Sequence, residues 1–87
     1  MTPINNIHRR LLKLGIVPEV LELPETFVAR DVSVPSKYMQ TLNGLGLVAP
    51  IERIGGHNLV MVWGITDRHR EYVDYVEGLR SHFGIEL

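Results

Sequence analysis

The spacing of apolar residues changes twice along this chain, and that double change restricts its folds more than any other feature. Up to Leu45 the apolar residues recur at helical intervals: Ile4, Ile7, Leu11 and Leu14, then Val28 and Val32, then Met39, Leu42 and Leu45. From Leu47 the runs "LVAPIERI" and "LVMVWGI" are strand-like, rich in β-branched and aromatic residues. After Thr66 the helical interval returns in Tyr72, Val76, Leu79 and Phe83. The order is helices, one hairpin and a final helix, an α+β class that is mostly α. With 87 residues the chain has room for one core, so residues 1–87 are read as a single domain.

Prolines, glycines and caps set the expected boundaries. Thr2 can cap the first helix, with Pro3 at its first position and Gly15 as its stop. The stretch from Ile16 to Pro24 reads as a connector with one helical turn at Glu19 to Glu22. Pro24 and Glu25 open a second helix that runs to about Val32. Ser33-Val34-Pro35 interrupts it, because proline disfavours helical geometry in the residue before it. A third helix covers Ser36 to Leu45, ended by Gly44 and Gly46. Pro50 places the first hairpin strand at a sheet edge, and the turn falls at Gly55 to Asn58. On the second strand Leu59, Met61, Trp63 and Ile65 face one way and Val60 and Val62 the other, leaving a modestly exposed valine face. Thr66 caps the last helix and Asp67 lies in its first turn.

This order resembles the winged helix-turn-helix family over most of the chain. Glu25 to Gly44 is similar to the family's helix-turn-helix, with Val28, Val32, Val34, Met39 and Leu42 at its apolar positions and Ala29 at its small residue. Ser33 departs from the pattern, since the family prefers Gly there. "LNGLGLV" resembles the end of a recognition helix, and "WGITDRHREYV" the passage from wing to final helix. The resemblance implies a three-helix core, a helix-turn-helix over about 25–45, a two-stranded wing over about 47–65 and a C-terminal helix over about 66–83.

Charge and composition bound the function. There are no cysteines, which excludes disulfides and thiolate metal sites. "MTPINNIHRRLLKLG" lacks the apolar core and cleavage site of a secretory signal, and the longest apolar run, Leu59 to Trp63, is too short to span a bilayer. A soluble, cytoplasmic protein is expected, nucleoid-associated if it binds DNA. The net charge of −1 gives no general support to a nucleic-acid partner. Its distribution is uneven, +1 over residues 1–24, 0 over 25–63 and −2 over 64–87.

The resemblance implies a sequence-specific DNA-binding protein, a small transcriptional regulator whose helix 36–45 enters the major groove of double-stranded DNA. Ser36, Lys37, Gln40, Thr41 and Asn43 are its polar residues off the apolar stripe. Lys37 suits a phosphate, while Gln40 and Asn43 each suit adenine. Arg53, His57 and Asn58 lie on the presumed wing, within reach of a neighbouring phosphate or the minor groove. Val73, Tyr75, Val76, Leu79 and Phe83 of the last helix are the expected homodimer contact. Arg9, Arg10 and Lys13 form the most basic segment, expected to approach the DNA backbone or to pair with acids of the last helix. No cofactor, metal or small-molecule ligand is expected. The four histidines lack ligand spacing and no catalytic motif is present, so no enzyme is expected. The alternative is a winged-helix module that binds protein, supported by the neutral balance of residues 25–63.

Overall fold

The first apolar stripe forms the helix its spacing predicts: α1 spans Ile4–Leu14 in the computed structural model, which describes residues 2–56 and 59–83. Ile7 and Leu11 are fully buried, and His8 is buried beside them. Pro3 rather than Thr2 precedes the first turn. Its carbonyl accepts the amides of Asn6 and Ile7 at 3.0 and 3.1 Å, and no side chain caps the helix. Gly15 ends it at φ 72°, with its N–H donating to Leu12 O and the Ile16 N–H to Leu11 O. That left-handed closure is strained for any residue with a Cβ, and it turns Ile16 back into the core. The same closure recurs after α3 (Met39–Gly44), where Gly46 has φ 79° and the Leu47 N–H donates to Leu42 O at 3.0 Å. Gly46, not Gly44, is therefore the stop.

Between Gly15 and Pro35 the chain departs from the expected order. The connector contains a helix, α2 (Val17–Leu21), with proline at its first turn, where a missing N–H costs nothing. It buries Val17 and Val20. The helix expected over residues 25–32 is absent. In its place Thr26–Val28 forms strand β1, and Ala29–Asp31 makes a single 3-10 turn. Thr, Phe and Val favour a pleated backbone, and pairing with a neighbouring strand buries Phe27. Ala29 consequently does not separate two crossing helices, although it still packs against the core. Ser33 does not adopt a left-handed turn, because every described residue with positive φ is glycine. Val34 is buried without a helix before it. After Pro35, Ser36–Tyr38 forms a second 3-10 turn that runs directly into α3.

The hairpin supplies β2 (Val48–Ile54) and β3 (Val60–Ile65), and the antiparallel sheet has the order β1-β3-β2. Pro50 lies on the edge strand β2, as its missing N–H requires. The register runs Phe27↔Trp63 and Val28↔Val62 on one side of β3, then Val48↔Ile65 and Ile54↔Val60 on the other. A bulge between Pro50 and Glu52 lets the Ile51 side chain fold over Gly64, where an added Cβ would lie 2.5 Å from its Cδ1. Trp63, Phe27 and Val48 are buried on the inner face, and Val60 and Val62 are half-buried on the outer one.

The last helix, α4, covers Asp67–Phe83 and begins where Thr66 caps it. The Thr66 hydroxyl accepts the His69 N–H at 3.3 Å and donates to Gly46 O at 2.5 Å, so one side chain ties the α3 exit to the α4 start. Tyr72 and Val76 are fully buried. Contacts of Arg68 Nη2 with Thr2 O, and of His8 with Tyr72, advance together along both chains, so α1 and α4 run side by side in the same sense. His8 Nδ1 and the Tyr72 hydroxyl share a buried hydrogen bond of 2.8 Å. Burial, with Tyr75 close by, holds the Tyr72 hydroxyl far above its usual range and therefore protonated.

Burial also lowers the His8 pKa from its ordinary 6.5, by penalising the imidazolium. The unfolded chain then binds a proton more readily than the folded one, so this contribution to stability is complete above pH 6.5 and is lost as pH falls through the folded-state value. The thermal midpoint should accordingly fall between about pH 7 and 5, and less steeply in His8→Gln. An identical pH slope in the two chains would contradict this placement of His8.

Candidate nucleic-acid interface

Met39 and Leu42 anchor the helical segment Ser36–Gly44, and their burial decides which side chains point out. Ser36, Lys37, Gln40 and Asn43 are exposed, as expected. Lys37, Gln40 and Asn43 follow one another at intervals of three and so share a face. Thr41 is half-buried at the margin of that face. Tyr38 packs against the core, and the Lys37 ammonium lies 5.1 Å from its ring centroid, a contact that steadies the lysine stem.

The neighbour of this row is α1. Thr2, Pro3 and Asn6 line an open groove together with residues 43–46, which brings the amides of Asn6 and Asn43 to one surface. Arg10 follows Asn6 by one helical turn and is exposed. The sequence segments 1–18 and 32–51 contain Arg9, Arg10, Lys13 and Lys37 and no acid, while Arg68, which donates to Thr2 O at the groove, is paired with Glu71. Arg9, Arg10 and Lys13 make no ion pair among the described residues.

Arg53 is exposed on β2, in register with Met61, on the part of the hairpin that is exposed from Pro50 onward. His57 and Asn58 lie outside the described residues. The expected dimer residues divide. Val76 is fully buried in the core of its own chain and is thereby removed from any surface, a correction to the expectation. Tyr75 is half-buried with its ring 5.6 Å from His8, and Val73 and Leu79 are half-buried outside the core cluster. The Phe83 side chain lies outside the described set.

Two buried polar groups escaped the sequence reading. Besides His8, His69 is buried, with its Nε2–H donating to Val20 O at 2.7 Å and its Nδ1 buried without a partner among the described residues. A periodicity reading could have flagged His69 only by noting that it precedes Tyr72 and Val76 on one stripe. Among the described residues no three His, Asp or Glu side chains are placed to hold a metal ion, and no helix is long and apolar enough to cross a membrane. Comparison with family models, curated proteins and solved structures gives no match.

Proposed function

We propose that the chain is a winged-helix DNA-binding domain, a small transcriptional regulator that reads the major groove with the segment Ser36–Gly44. The observation that carries this reading is the exposed row Lys37, Gln40 and Asn43, with the amide of Asn6 beside that of Asn43 along an open groove. A groove of DNA presents base edges between two lines of phosphate. That pattern calls for amide side chains flanked by cations. Gln40 and Asn43 supply the amides, Lys37 and Arg10 the cations, and Arg53 on the projecting hairpin reaches a further phosphate. The helix-turn-helix of the expectation is replaced by a strand and a 3-10 turn, so the support comes from α1 and the hairpin around one short helix.

The test is selection from random duplex DNA followed by gel shift. Lys37→Ala should weaken binding to all sequences alike, whereas Gln40→Ala should cost about 1–3 kcal/mol at one base pair and relax specificity there. Both should leave folding stability unchanged within about 0.5 kcal/mol, since both side chains are exposed. With few cations engaged, log K should fall with log salt at a slope of roughly −2 to −4. No enriched sequence, together with unaltered binding in both variants, would sink the reading.

A second reading has its own observation. The outer sheet face joins Val28, Val60 and Val62 to Ile51 and Ile54, which are 54% and 45% exposed. An apolar sheet face of this kind suits a protein partner. Glu substituted for Val62 would abolish such an interaction while leaving DNA affinity intact.

A further inference from the structure

We infer that the end of the β2–β3 hairpin is a wedge that enters the minor groove, opens a base step and bends the duplex. The inference rests on the DNA-binding reading above. Leu59 and Ile54, 59% and 45% exposed, stand at the end of this two-stranded ribbon. Ile54 pairs with Val60 on one face, while Arg53 pairs with Met61 on the other, the face toward which Leu59 alternates. The ribbon end is therefore apolar on both faces. A protein docked on the sheet would cover one face, whereas a gap between two stacked base pairs offers an apolar surface on each side.

Gly55, at φ 102°, and Gly56, with open space around it, add no side chain beyond Ile54, so the leading edge stays thin. Arg53 sets a cation beside the wedge and makes no ion pair among the described residues. Glu52 shares the Ile54 face but pairs with Val62, about 7 Å back from the end. The reach also fits. Strand β2 starts shortly after α3 ends, and its seven residues span about 20 Å. The minor groove beside a filled major groove lies half a helical repeat away, roughly 17 Å. At about 6 Å wide, that groove admits a ribbon only if it opens. Unstacking one step and kinking the duplex toward the major groove opens it.

Energy transfer between dyes at the two ends of a selected duplex, bound by the full chain, tests this. The bound duplex should bend by about 20–90°, and 2-aminopurine at the opened step should brighten several-fold. Selected sites should carry a TA or CA/TG step half a turn from the bases that Gln40 reads, because those steps unstack most readily. The double variant Ile54→Ser, Leu59→Ser should lose most of the bend and the brightening. Its thermal midpoint should stay unchanged, since both side chains are exposed. Ile54→Leu should keep the bend. Lys37→Ala should weaken affinity and leave the bend of the bound duplex as it is. A bound duplex that stays straight, or a bend that survives the double variant, would overturn the wedge and leave the DNA reading standing. The apolar tip would then belong to a protein partner. A chain that binds no duplex at all would overturn both.

Discussion

Tyr72→Ala is expected to cost about 3–5 kcal/mol of folding stability. The side chain is fully buried where α1 packs on α4, so the change removes an aromatic ring and leaves a cavity that two helices can only partly close. It also strips His8 of its 2.8 Å hydrogen-bond partner in a buried setting. Tyr72→Phe separates the two losses. It keeps the ring, orphans the imidazole, and should cost about 1–3 kcal/mol. Domains of this size hold about 5–15 kcal/mol in reserve, so the alanine variant should be partly unfolded at ordinary temperature. Urea unfolding followed by the fluorescence of the single, buried Trp63 gives both values. A loss for Tyr72→Ala no larger than that for Tyr72→Phe would mean that the ring is not packed between the helices.

Leu42→Ala is expected to cost about 2–5 kcal/mol, in a helix whose other face has a different job. Leu42 is fully buried and its carbonyl accepts the Leu47 N–H that turns the chain into β2. That backbone bond survives the substitution, so the expected cost is that of the buried side chain alone. Gln40, two residues earlier on the same element, is exposed. The pair makes a clean contrast: Leu42→Ala should move the unfolding midpoint and Gln40→Ala should not. Equal effects in a denaturation experiment would show that the segment Ser36–Gly44 is not seated on the core by this face.

Much of this architecture was legible from local rules. The stripe Ile4, Ile7, Leu11 placed α1, Gly15 placed its end, and Thr66 placed the start of α4, since each is an interaction between residues a few positions apart. Pro50 announced an edge strand, because a proline lacks the N–H that a central strand must donate. The polar row of Lys37, Gln40 and Asn43 was legible for the same reason, as the complement of the buried Met39 and Leu42.

The misreading of residues 25–32 has a specific cause. Val28 and Val32 stand four apart, which matches a helix, yet Thr26, Phe27 and Val28 are also a good strand, and local spacing does not choose between them. Strand β3, paired with β2 on one side, had a free edge that β1 completes, and that edge belongs to residues 60–65, far along the chain. Similarly, nothing near His8 foretells a bond to Tyr72, 64 positions away.

The sequence by itself therefore determined the α+β class, the hairpin, the three helices with strong stripes and the outward face of Ser36–Gly44, because periodicity, caps and turns act within a few residues. Only the tertiary structure decided that β1 replaces a helix, that Val76 is spent in the core, and that Asn6 stands beside Asn43. Those outcomes depend on which distant surfaces meet, and burial rewards the pairing that covers most apolar area rather than the pattern that any one segment prefers.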